Sequence, residues 1–109
     1  MTHTDMIAKV CTAAPVIPVL TIDRVEDAQP LARALVAGGL PALEITLRTA
    51  AAMEAIAAVS EVEGAMAGVG TLLTAAQIRD AKSAGATFGV SPGATHSLIE
   101  AAREDDLPL

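Results

Sequence analysis

The sequence predicts an α/β domain built on a parallel sheet. Three observations carry that expectation: strand-type runs begin near residues 16, 42, 66, 87 and 107, helix-type segments fill the intervals, and glycines close those segments. A strand start about every twenty to twenty-six residues is the rhythm of successive βα units.

A short helix over about 4–13 opens the chain, and VIPVL at 16–20 is the first compact β-type run. Asp23 is the expected N-cap of the next helix. Its apolar positions Val25, Ala28, Leu31, Ala32, Leu35 and Val36 recur at helical spacing until Gly38-Gly39. The second strand lies in PALEITLRTA at 41–50, where Pro41 suits a strand start and Leu43, Ile45 and Leu47 alternate with Glu44, Thr46 and Arg48. Thr49 then caps an alanine-rich helix with an inward stripe of Ala52, Met53, Ile56 and Val59, ending near Gly64. MAGVG at 66–70 is the third strand. Thr74 with Gln77 three residues on has the spacing of a capping box and starts a helix that runs to Gly85. TFGVS at 87–91 is the fourth strand, followed by a helix from about Thr95 to Glu104, and LPL at 107–109 begins a fifth. IRDAKSAGA at 78–86 echoes the helix-to-glycine ending of LARALVAGG at 31–39, which supports the rhythm.

Composition bounds the function. The 109 residues are 52% hydrophobic and 18% charged, which describes one globular domain rather than a disordered chain. With one phenylalanine, no tryptophan and no tyrosine, the core must come from Ala, Val, Leu, Ile and Met. No aromatic platform exists for single-stranded nucleic acid, and a net charge of −6 gives no basic footprint for a duplex. Cys11 is the only cysteine, so an internal disulfide and a multi-cysteine zinc site are excluded. A reducing cytoplasm fits that usage, and MTHTDMIAKV shows no leader pattern. No membrane span is expected.

Two architectures obey the rhythm: an open doubly wound sheet, or part of a (β/α)₈ barrel, which typically needs about 250 residues. The chain stops on Pro108-Leu109 as a strand begins, which favours part of a barrel. In either, ligands sit beyond the carboxyl ends of the strands, at Leu20-Thr21, Glu44 to Thr49, Gly70-Thr71 and Ser91-Pro92. No aspartate ends a strand there, so a phospho-accepting receiver is disfavoured. Neither GxGxxG after the first strand nor GxxxxGK[ST] occurs, so the dinucleotide and P-loop cradles are missing.

On a strand, Glu44 and Arg48 share a face but sit roughly 13 Å apart, so each needs another partner: solvent, a neighbouring strand or a ligand. A guanidinium offers a planar fork for a carboxylate or phosphate, a threonine adds a donor, and a glutamate of raised pKa moves a proton. Together they suggest a small anionic substrate and proton transfer. The competing reading makes Thr71 a turn cap and Arg48 a solvated loop residue. His3 and His96 read as surface residues without metal-like partners, and Cys11 as a small buried hydrophobe.

PVIPVL, LARALVAGGLPALEITLRT, GVGTLLTAAQ and AGATFGVSPG, in this order and spacing, resemble the class I 2-keto-3-deoxy-6-phosphogluconate (KDPG) and 4-hydroxy-2-oxoglutarate (KHG) aldolases. The resemblance runs from about residue 15 to the end and covers about the first half of that family's barrel. It implies one partial domain over 1–109: an N-terminal helical segment at 1–14 and, at 15–109, the first four βα units of a (β/α)₈ barrel with parallel strands.

The resemblance further implies an aldehyde-lyase, trimeric in the intact family, that uses no metal or cofactor and releases pyruvate from a keto-acid. Glu44 would be the general acid/base, acting through water at the carbinolamine and enamine steps. Arg48 and Thr71 would hold the pyruvate carboxylate, and Pro92 would line the pocket. The family's Schiff-base lysine lies on a later strand, and here only Lys9 and Lys82 exist. The expectation is therefore a chain inactive alone, which dimerises, exchanges elements or pairs with a complementary C-terminal half to cover two open sheet edges. A doubly wound anion-binding module and a non-catalytic half-barrel assembly are the alternatives.

Overall fold

The computed structural model describes residues 1–109. The element order is α1 (His3–Thr12), β1 (Val19–Leu20), a 3₁₀ turn (Val25–Asp27), α2 (Ala28–Ala37), β2 (Ala42–Thr46), α3 (Ala52–Ser60), β3 (Met66–Gly70), α4 (Ala75–Ala84), β4 (Phe88–Gly89) and α5 (His96–Glu104). All four strands are parallel, and they lie in the order β1-β2-β3-β4. Sequence neighbours are therefore sheet neighbours throughout. A doubly wound sheet reverses its order at a switch point; this one does not, so that alternative falls.

The helices confirm the winding. α2 packs on α3, α3 on α4 and α4 on α5. Their buried residues, among them Ala32, Ile56, Ile78 and Leu98, join Leu43 and Ile45 of β2 and Ala67 and Val69 of β3 in one cluster of 20. Because strand side chains alternate, the other residues of β2 and β3 face away from that cluster. On this inner face Ala42 and Phe88 meet Val10 of α1, with Met6, Ile7, Ile17 and Met66 packed around them. α1 thus closes the inner face at the amino ends of the strands. The carboxyl ends stay free. No helix is long and apolar enough to cross a membrane.

Local chemistry explains the boundaries. Pro18 has no N–H for a ladder, so the run at 16–20 forms a strand only at Val19–Leu20, although the Pro18 carbonyl accepts from Glu44 N–H at 3.1 Å. The fourth strand is likewise shorter than 87–91, with Thr87 and Val90 still donating to the Ala67 and Val69 carbonyls. At 107–109 there is no assigned strand, but the Pro108 carbonyl accepts from Gly89 N–H at 2.7 Å and Leu107 is fully buried.

Asp23 does not cap α2. The 3₁₀ turn intervenes and closes through its own backbone, Asp27 N–H donating to the Arg24 carbonyl at 3.1 Å, and no side chain caps either start. α2 ends where expected: Gly39, at φ 97°, is followed by a Leu40 N–H to Leu35 carbonyl bond, the six-residue closure that a left-handed glycine permits. Thr49 does not cap α3 either, because its hydroxyl is engaged across the sheet. In the inward stripe of α3, Ala55 is buried and Met53 only half-buried. Thr74 and Thr95 do cap α4 and α5, accepting from Gln77 and Leu98 N–H at 3.2 and 3.1 Å. The Gln77 side chain reaches Leu73 N–H at 2.8 Å rather than the Thr74 amide, so only half of the capping box forms.

Candidate active site

The chain carries one apolar-to-polar sequence on β2 that decides the site. Leu43 and Ile45 turn outward to the helices, which sends Glu44 and Thr46 to the inner face. Both are buried, so the strand has no wet side. Thr46 satisfies itself by donating to the Leu20 carbonyl at 2.9 Å. Glu44 has no such partner and enters none of the chain's ion pairs. Its burial raises the carboxyl pKa above the ordinary value of 4.5, and the Arg48 guanidinium pulls partly in the other direction.

Gly70 on β3 sits beside this carboxylate. The ladder pairs Thr46 with Gly70 and Glu44 with Gly68, so the Glu44 side chain leans across β3. Thr71 follows at φ 61°, one of two non-glycine residues with a positive φ. For a β-branched side chain that conformation is an outlier, costing on the order of 1–2 kcal/mol, and such strain clusters at ligand-binding positions. Arg48 lies not on β2 but in the exposed turn just after it. That turn is anchored: the Thr49 hydroxyl donates to the Ile22 carbonyl at 2.6 Å. The Arg48 charge acts on Glu44, and the Glu44 carboxylate reaches Gly70, the residue before Thr71; of the three only Glu44 lines the cleft beside them.

That cleft, of about 790 Å³, opens along β4 between α1 and α5. Glu44, Ile7, Phe88, Ser91, Ala94 and Ile99 line it, and most of its wall is apolar. Pro92 is not in that wall. It is exposed in the bend after β4, and its neighbours Ser91 and Ala94 face the cleft instead. Neither lysine lines the cleft: Lys9 is in the last turn of α1, and Lys82 Nζ donates to the Asp106 carbonyl at 2.9 Å.

Cys11 and His3 differ from expectation, and His96 does not. Cys11 is exposed at the cleft rather than buried, because α1 turns Val10 inward and its neighbour out. His3 is not partnerless, since its Nε2 lies 2.8 Å from Asp106 Oδ1. His96 is exposed in the first turn of α5. No three His, Cys, Asp or Glu side chains come together as a metal site. Gly70, expected as a strand end, also faces the Glu44 carboxylate, a relation the sequence reading did not assign. Its signal was the alternation Gly68-Val69-Gly70, which strips one face of a buried strand of side chains.

A singly wound parallel sheet with helices on its outer face and a buried carboxyl on an inner strand is the arrangement of consecutive βα units in a (β/α)₈ barrel. The chain belongs to the KDPG and KHG aldolase family, which matches residues 7–109. It is 47% identical over 102 residues to the 2-dehydro-3-deoxy-phosphogluconate aldolase of Dickeya dadantii, covering 93% of this chain and 48% of that one. The structure of the Zymomonas mobilis ZM4 KDPG aldolase with 3-phosphoglycerate superposes with a TM-score of 0.93 at 47% identity, covering 99% of this chain and 51% of the other. The Legionella pneumophila KDPG aldolase, with pyruvate captured as a covalent carbinolamine, gives a TM-score of 0.85 at 44% identity, covering 92% and 49%. The chain thus spans about half the length of the relatives it matches.

Proposed function

We propose that this chain supplies the proton-transfer half of a class I aldolase site. The reaction is cleavage of 2-keto-3-deoxy-6-phosphogluconate to pyruvate and glyceraldehyde 3-phosphate, or of 4-hydroxy-2-oxoglutarate to pyruvate and glyoxylate. The observation that supports this most is Glu44: inward on β2, without an internal partner, and raised in pKa by burial. A carboxyl tuned upward exchanges protons more readily near neutral pH than an ordinary one. Through a water in the cleft it would protonate and deprotonate the carbinolamine oxygen and the enamine carbon. Arg48, exposed and unpaired in the turn after β2, would take the pyruvate carboxylate in its planar fork, and the Thr71 hydroxyl would add a second donor. Pro92, outside the cleft wall, takes no part in this reading.

The electron sink in this chemistry is an imine formed by a lysine. Lys82 is held by Asp106 and Lys9 points from α1, so neither is placed to attack a ketone beside Glu44. The nucleophile belongs, in this reading, to a complementary C-terminal half, which would also cover β4 and build the phosphate site. The Legionella relative, with its covalent carbinolamine, supports the chemistry.

The test is intact-mass analysis after incubation with pyruvate and borohydride. The chain alone should show no reduced-pyruvate adduct. With the C-terminal half of a relative added, the adduct should appear on that half and depend on Glu44. An adduct on Lys9 or Lys82 would reject the assignment.

A further inference from the structure

Gly70 is in ordinary strand conformation, outside the left-handed region, so its backbone does not ask for glycine. What asks for it is a single side chain. A Cβ built at Gly70 overlaps Glu44 Oε2 and comes within 2.8 Å of Cδ and 2.9 Å of Cγ, and these are its three nearest neighbours. Gly68, two residues back on the same face, stands in the same relation to the Phe88 ring. The inner face of β3 is therefore a bare trough, filled from β2 by a carboxylate and from β4 by an aromatic ring.

We propose that Gly70 is a positioning residue for Glu44: by lacking a side chain, it lets the carboxylate lie flat over β3, between the strained Thr71 and the Phe88 ring. A Cβ at Gly70 would displace the Glu44 carboxylate from β3 toward the cleft that Glu44 already lines, and so toward water. Glycine thus fixes both where the proton is exchanged and how dry the exchanging group is. This role rests on the reading of Glu44 as the acid/base. The geometric part can be measured without turnover.

The experiment is a carbon-detected NMR titration of the Glu44 carboxyl in the wild-type chain and in Gly70→Ala, with melting of the cycle formed by Gly70→Ala, Glu44→Ala and the double variant. The expected result is that Gly70→Ala moves the Glu44 midpoint down toward the ordinary carboxylate value. Melted below the ordinary carboxylate value, where Glu44 is neutral both folded and unfolded, Gly70→Ala should also lower Tm, because a Cβ there overpacks against Glu44 Cγ and Cδ. In the Glu44→Ala background the same change should cost less than half as much. An unmoved midpoint, or an equal loss of Tm in both backgrounds, overturns the proposal. If Gly70→Ala does not fold, recovery of folding in the double variant supports it, and no recovery overturns it. Failure of the aldolase reading would appear in the adduct experiment and would leave this titration and this cycle unchanged.

Discussion

The Thr49 hydroxyl donates a 2.6 Å hydrogen bond to the Ile22 carbonyl, joining the turn after β2 to the loop after β1. Arg48 is the residue immediately before that anchor, so its exposed guanidinium is carried on a tethered turn rather than a free loop. Thr49→Val keeps the shape and removes the donor, leaving a part-buried carbonyl unpaired. The expected outcome is a loss of about 1–2 kcal/mol in urea unfolding and weaker pyruvate capture by the reconstituted site. Unchanged capture would show that the Arg48 turn needs no tether.

Burial raises the Glu44 pKa, so the native chain keeps this proton to a higher pH than the unfolded chain does. Between the ordinary value of 4.5 and the raised native value, the native state binds more protons and stability falls as pH rises. Above that window the loss persists. Glu44→Gln is neutral throughout, so it should melt higher than wild type at about pH 7 and converge with it below the ordinary carboxylate value. In the reconstituted enzyme the same variant should lose about 10²–10⁴ in kcat.

Thr71 should trade stability for binding. Thr71→Gly releases the positive φ and is expected to stabilise the chain by about 1 kcal/mol, net of the added freedom of glycine when unfolded. It also removes the hydroxyl assigned to the pyruvate carboxylate. Denaturant melts and adduct yields should therefore move in opposite directions, and a loss in both would mean that Thr71 is structural.

His3 and Asp106 hold the first turn of α1 to the loop after α5. The hydrogen bond from His3, aided by Lys82, lowers the Asp106 pKa, so this contribution is present above the ordinary value of 3.8 and fades as pH falls through the lowered native value. Asp106→Asn weakens the charge at every pH above that window. Faster amide exchange across α1, with α3 and α4 unchanged, is the expected signature.

Phe88 is the largest fully buried side chain and sits in the small inner cluster with Val10 and Ala42. Phe88→Ala should cost about 3–5 kcal/mol, read by chemical denaturation. Proteolysis within α1 should increase before the helical layer is lost.

Much of the fold was legible. β2 and β3 lie at 42–46 and 66–70, inside the apolar runs that announced them, and α4 and α5 start at their threonine caps. Those elements are specified by residues near in sequence. The shortening of β1 follows from Pro18, visible in advance but underweighted. The caps at Asp23 and Thr49 failed because a 3₁₀ turn and a cross-sheet hydrogen bond, both set by tertiary context, took over those positions. At the site, Glu44 was conspicuous as a charge in an apolar run. Gly70 was less so: the alternation Gly68-Val69-Gly70 marks a bare face, but what fills it is a side chain 26 residues earlier in the sequence.

Phe88 is the only phenylalanine in a chain without tyrosine or tryptophan, and its ring lies against Gly68 on the inner face. With His3 and His96 the only other aromatic rings in the chain, the ring-current displacement at Gly68 comes from Phe88, which touches it. The Gly68 α-protons should resonate far upfield and act as an internal reporter. Their shift would follow docking of a ligand or a complementary half into the cleft, in a molecule that offers no indole or phenol fluorescence for the purpose.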